Sequence, residues 1–176
     1  MKHLKLAIIA LATILMFFAS CEKNKTDLPV EFKFVLLDTL GNEKTVFSQG
    51  ENIIFSFQVI NNGSKDLMLE NFFPNDDFFR VYQLNTNGGT LDYGIPYDVI
   101  CEIGYFSIPA NGILKINCPL VNSENNNFYY SCLIADTALH KTFLSKGNYY
   151  TEFTQSFKIG DIQTEAKHFR IDFTVK

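Results

Sequence analysis

Alternation of apolar and polar residues with a period of two runs through most of the chain beyond residue 29, and it restricts that part to half-buried β-strands. Val30, Phe32, Phe34 and Leu36 share one side of a segment whose other side carries Glu31 and Lys33. Ile53, Phe55, Phe57 and Val59 repeat the pattern against Ser56 and Gln58, and Phe169, Ile171, Phe173 and Val175 alternate with Arg170, Asp172, Thr174 and Lys176. Successive side chains of a strand point to opposite faces, so each run has one face for a core and one for water. The three runs predict strands over 30–37, 53–60 and 169–175. Less regular strands are predicted over 44–47, 66–70, 78–84, 99–106, 113–120, 128–133 and 149–157. Between them lie Gly41-Asn42, Gly50-Glu51-Asn52, Asn61-Asn62-Gly63-Ser64, Asn87-Gly88-Gly89, Pro109-Ala110-Asn111-Gly112, Lys146-Gly147-Asn148 and Gly160-Asp161. Gly and Asn suit such turns because they tolerate positive φ. Short strands separated by such turns predict an all-β antiparallel sandwich, with one helical turn or two around 135–144.

The first residues belong to a different kind of segment. Lys2 and Lys5 precede an apolar run over 6–18 that is broken only by Thr13, and Ala19, Ser20 and Cys21 follow. A basic start, a short apolar stretch and small residues describe a secretory leader, and the run is too short to span a bilayer, which takes ~20 residues. Phe18-Ala19-Ser20-Cys21 resembles the lipobox of bacterial lipoproteins, with Phe18 where the family usually has Leu. The resemblance implies a diacylglyceryl group on the Cys21 sulfur, cleavage before Cys21 and acylation of the new amine. Selective alkylation at such a site calls for a thiolate nucleophile. Several acyl chains matter, because a single chain holds a protein to a membrane only marginally. Glu22 stands where an Asp in that family often marks retention at the inner membrane, so the outer membrane is expected. The alternative is a soluble secreted protein in which Cys21 is incidental. The expected organisation is a leader over 1–20, a polar tether over 21–29 ending in Pro29, and one domain over 30–176.

Of the chain's 15 Lys and Arg, two belong to the leader, which leaves 13 against 19 Asp and Glu. A mildly acidic chain without basic clusters speaks against nucleic acid as a partner. Cys101, Cys118 and Cys132 remain after Cys21. Their odd number and their spacing fit no zinc pattern, and they read as small apolar residues of a β core, with a single bridge as the alternative.

A first strand, the Gly50-Glu51 turn, a strand ending in Asn-Asn-Gly-Ser, the run Ile-Pro-Ala-Asn-Gly over 108–112, and Leu-Ser-Lys-Gly-Asn-Tyr over 144–149 follow in a recurrent order. That order resembles the immunoglobulin-like domains of bacterial surface lipoproteins and, more distantly, the domain of the intracellular proteinase inhibitor family. The likeness covers most of 30–176 except 74–94. It rests on turns and strand order, so it implies a fold more than a function.

No catalytic constellation stands out. Serine-hydrolase elbows, phosphate-binding glycine loops and paired metal-binding histidines are missing, and no cofactor is expected. His168 beside Lys167 reads as a solvent-facing strand residue, and His140 as a surface residue that Asp136 pairs with if the turn there is helical. Asp76 and Asp77 form the sharpest acidic pair, either a solvated loop tip or part of a Ca²⁺ site. The same segment carries Phe72, Phe73, Phe78 and Phe79 around Pro74, and Tyr93, Ile95 and Tyr97 follow. Loop aromatics of this kind either present a binding platform or fill the core under a long loop. Phe128, Tyr129 and Tyr130 invite the same pair of readings. Asp38-Thr39-Leu40 and Asp136-Thr137-Ala138 resemble a three-residue acceptor of O-glycosylation.

Three functions are expected in descending order. The first is a non-catalytic envelope module that binds protein or glycan through Phe72, Phe73, Asp76, Asp77, Phe78, Phe79 and Tyr97. The second is a proteinase inhibitor presenting the loop 72–79. The third is an enzyme using Asp76, Asp77 or Asp136, which requires two carboxyls across a cleft.

Overall fold

The alternating runs form strands in the computed structural model, which describes residues 28–70, 77–96, 98–99, 105–121, 133–134 and 142–176. In chain order the strands are β1 (Val30–Leu37), β2 (Val46–Phe47), β3 (Ile54–Asn61), β4 (Leu67–Glu70), β5 (Arg80–Leu84), β6 (Thr90–Gly94), β7 (Asp98–Val99), β8 (Phe106–Ile108), β9 (Ile113–Pro119), β10 (Leu133–Ile134), β11 (Gly147–Gln155), β12 (Lys158–Ile159), β13 (Ile162–Gln163) and β14 (Lys167–Val175). One sheet has the order β1-β3-β9, a second β2-β14-β11-β5-β6, a third β13-β12-β4-β8, and β7 pairs with β10. All these pairings are antiparallel except that of β2, which lies parallel to β14.

The first two sheets pack face to face through aromatic rings. Phe34 of β1 meets Phe153 of β11 edge-on with centroids 5.0 Å apart. Phe57 of β3 meets Phe153 at 5.7 Å and Phe169 of β14 at 5.2 Å. Each such pair adds about 0.5–1.5 kcal/mol to the gain from burial alone, so the Phe-rich composition becomes one interlocked core. The third sheet closes this core with Leu69, Ile108 and Ile159, all buried. β1, β3 and β9 take the places of strands A, B and E of an immunoglobulin-like sandwich. β14, β11, β5 and β6 take those of G, F, C and C′, with β2 as an A strand that has changed sheets. The chain is therefore an all-β, immunoglobulin-like sandwich.

The turn chemistry read in the sequence has a tertiary use. Asn61 is fully buried. Its Nδ2 donates to the carbonyls of Lys65, Ile108 and Pro109 at 2.8, 3.1 and 3.0 Å, and its Oδ1 accepts from the Gly63 amide at 2.9 Å. One side chain thus ties the Asn-Asn-Gly-Ser turn to the Ile-Pro-Ala-Asn-Gly turn 47 residues later. Asn111 adopts φ 54° there, a conformation Asn tolerates better than most residues.

Several expected strands shift. The predicted strand over 149–157 starts at Gly147, stops at Gln155 and yields to β12, which pairs with β4 in the third sheet. The one over 99–106 is replaced among the described residues by β7 and by β8, which begins at Phe106. β6, β12 and β13 were not predicted. The helical turn around 135–144 lies outside the described residues except for 142–144, which are not helical.

Candidate interaction surfaces

The aromatic segment divides. Phe72, Phe73, Asp76 and Tyr97 lie outside the described residues, as do Cys21, Cys101, Cys132, Asp136, His140 and 128–130. Phe78 and Phe79 are described, and both are fully buried, which corrects their reading as a solvent-facing platform. Phe78 stacks obliquely on Phe153 at 4.4 Å, and Phe79 lies 5.4 Å from Phe34 and 5.7 Å from Phe55. The physical reason is the turn before β5. Arg80 N–H donates to the Asp77 carbonyl at 2.8 Å, and Phe79 takes φ 61°. That sends two consecutive rings to the same side, which regular strand geometry forbids. A positive φ on a bulky residue costs on the order of 1–3 kcal/mol and persists only where packing over-determines it. Asp77 is half-buried, with Oδ1 buried and lacking a hydrogen-bond partner among the described residues. Among the described residues no three His, Cys, Asp or Glu lie close enough to hold a metal ion.

Cys118 is buried and unbridged, and its Sγ donates to the Pro96 carbonyl at 3.2 Å. Burial pushes its thiol well above the usual range, so it is a core residue rather than a nucleophile. His168 is exposed on β14, 3.2 Å from the Thr154 hydroxyl and 3.6 Å from Glu152.

The exposed face of the second sheet is self-contained. Tyr82 and Tyr150 stack at 4.8 Å, and the Arg170 guanidinium covers Tyr150 at 3.9 Å from the ring centre. Arg170 also reaches Asp172 at 2.8 Å and Glu152 at 3.2 Å, and the Asp172 bond is the main cause of its raised pKa. Rings and charges there already have partners within the sheet.

An unfinished edge lies along β14. β2 covers only Thr174 and Val175, while β14 begins at Lys167. Thr174 N–H donates across to the Thr45 carbonyl at 2.9 Å, so residues of the same parity aim their peptide groups away from β11. His168, Arg170 and Asp172 therefore present N–H and C=O outward, without a strand against them among the described residues. β1 stands across the gap. Its Leu36 carbonyl accepts from Lys44 N–H at 3.0 Å, and by the same parity Phe32 and Phe34 aim their peptide groups into the gap. Phe32, Phe34, Phe169 and Ile171 line this seam and are all half-buried. A hollow of about 400 Å³ opens at its upper end between Phe34, Leu36, Lys44 and Ile171. Lys167 covers the lower end, with Nζ 4.8 Å above the Phe32 ring. Sequence reasoning missed this site, because whether a strand has one neighbour or two does not show in its own residues.

No family model matches the chain, and no curated protein matches it. Among solved structures it is similar to the ASH/PapD-like domain of human CEP192 (PapD-like domain 7), at 10% identity and TM-score 0.41 over 85% of this chain and 86% of that one. It is also similar to the alkylpurine DNA glycosylase AlkC of Pseudomonas fluorescens, solved bound to DNA containing an abasic site analog. That likeness has 12% identity and TM-score 0.32 over 85% of this chain and 31% of that one. Likenesses so remote add nothing to the strand order, on which the fold assignment rests.

Proposed function

We propose that the chain is a lipid-anchored, non-catalytic interaction module of the bacterial cell envelope that takes an extended segment of a partner protein along the open edge of β14. The observation that carries this reading is the row of outward peptide groups at His168, Arg170 and Asp172 beside half-buried Phe34 and Ile171. A sheet edge with free donors and acceptors is a template for another strand, and folds usually cover or blunt it. Here it adjoins apolar side chains, so an added strand gains both ladder bonds and burial. Such a strand continues β2 along β14, and its alternate apolar side chains face Phe34 and Ile171. The lipobox resemblance at Cys21 supports the envelope address. The inhibitory-loop reading of 72–79 loses Phe78 and Phe79 as contact residues, since both are in the core.

Hydrogen exchange on the intact chain, with and without peptides of alternating apolar and polar sequence, tests the reading. Binding peptides slow exchange at His168, Arg170 and Asp172. Peptides that bind and leave those amides unprotected, or no binding across a broad peptide set, would overturn it.

A further inference from the structure

The turn after β1 presents two side chains that the fold itself does not use. Asp38 knots residues 38–42 from within. Its Oδ1 accepts from Leu40 N–H and from Asn42 N–H, each at 2.9 Å, and its Oδ2 accepts from Asn42 Nδ2 at 3.1 Å. Its carbonyl accepts from Gly41 N–H at 3.0 Å, and its own N–H donates to the Asn42 carbonyl at 2.9 Å. Gly41 takes φ 86°, the conformation that closes the reversal, and Leu37 then pairs with Glu43. Thr39 and Leu40 are left at the tip of a backbone that these bonds hold fixed.

Both tip residues face water. Thr39 is exposed, and its hydroxyl has no hydrogen-bond partner among the described residues. Leu40 is 85% exposed, more than any other large apolar side chain among the described residues. The turn needs neither of them, since Asp38, Gly41 and Asn42 supply its chemistry. The tip also stands clear of Pro29, because the 8 residues of β1 put about 26 Å of strand between them.

We propose that Thr39 carries an O-linked sugar, added by a separate transferase that recognises Asp38-Thr39-Leu40 on this turn. In the transfer the Thr39 Oγ1 attacks the anomeric carbon of an activated sugar phosphate. The bond from that carbon to the phosphate oxygen breaks, the phosphate leaves with the electron pair, and the hydroxyl proton passes to a base of the transferase. A free hydroxyl on a fixed, protruding backbone suits such an attack, which depends on orientation. The surroundings favour a sugar over a phosphoryl group. Asp38 and Glu43 lie close in the turn and the whole chain carries a net charge of −4, so a phosphate would meet like charge. A neutral sugar avoids that repulsion, and the apolar face of its ring covers part of Leu40. The similar Asp136-Thr137-Ala138 lies outside the described residues. This goes beyond the peptide-binding reading and does not depend on it.

The test is peptide mass spectrometry on the intact chain, extracted in mild detergent from the cells that make it. The peptide spanning Thr39 carries a sugar-sized increment, which Thr39→Ala loses and Thr39→Ser keeps. Asp38→Ala releases the turn and lowers the modified fraction severalfold, although Thr39 is still there. Thermal unfolding confirms that all three variants stay folded. A bare Thr39, a phosphate-sized increment on it, sugar on Thr137 with none on Thr39, or an Asp38→Ala chain modified as fully as the native one would each overturn the proposal. Peptide protection at β14 persists in Thr39→Ala, so the two readings fail separately.

Discussion

Phe79 sets two effects against each other. Its ring is fully buried among Phe34, Phe55, Phe78 and Phe153, while its backbone sits at φ 61°. Removing a buried Phe costs about 3–5 kcal/mol, whereas a left-handed non-glycine backbone costs about 1–2. Packing wins, so both Phe79→Ala and Phe79→Gly destabilise, but Gly is the milder by about 1 kcal/mol because it relieves the strain. Chemical denaturation of the two variants checks the order. If Ala proves the milder, the strain argument is wrong. Asn61 makes the converse case, a polar group whose value lies in its bonds. Asn61→Ala leaves the carbonyls of Lys65, Ile108 and Pro109 without their donor and costs about 1–3 kcal/mol. Asn61→Asp is worse at neutral pH, because it turns an oxygen towards three carbonyls. Burial and those oxygens favour its protonated form, so its folded pKa rises above the unfolded value of about 3.9. The extra loss therefore appears as pH rises through that value, and acid recovers part of it. Denaturation midpoints for the Asp and Ala variants at acid and neutral pH decide the matter.

At the scale of the strand, β14 has two unequal edges. Odd-numbered residues bond to β11, with Ile171 opposite Thr151, and even-numbered ones face the seam. Ile171→Pro removes a ladder bond and is expected to cost about 3 kcal/mol or more, whereas Arg170→Pro deletes only an outward N–H and is expected to cost clearly less. A matched pair of unfolding curves tests this, and equal losses would mean that the edge is not open. Arg170→Pro should also weaken peptide capture. Some of this element was legible in its residues. The alternation of Phe169, Ile171, Phe173 and Val175 marked it as a strand buried on one side, and β1 appears over the predicted residues. β6 was not legible, because Thr90, Leu91 and Asp92 are all exposed and carry no apolar rhythm. Its pairing with β5 comes from the Asn-Gly-Gly turn and from the sheet waiting beside it.

For the whole molecule, the sandwich and its N-terminal address are separate matters. The domain holds together through one aromatic core shared by three sheets. The address proposed from the lipobox resemblance depends on the Cys21 thiol. Cys21→Ala is expected to shift the protein from the membrane to the soluble envelope fraction and to abolish incorporation of labelled palmitate, while the unfolding curve of the domain stays the same. Palmitate incorporation into the Cys21→Ala variant would place the lipid elsewhere.

Local chemistry was enough to establish the class of this fold. Side-chain alternation and turn residues act over a few neighbours, so they show where strands run and that the layers are β. The expected leader and lipobox at Cys21 rest on equally local signals, the order of residues 2–21. The surfaces open to a partner were decided by the tertiary structure alone. Phe78 and Phe79 looked as eligible as any loop aromatics until the turn before β5 directed both into the core. The seam exists because β2 stops after two residues and, among the described residues, leaves the rest of the edge of β14 opposite β11 without a strand. Exposure and adjacency depend on the whole strand order, and no single segment encodes that.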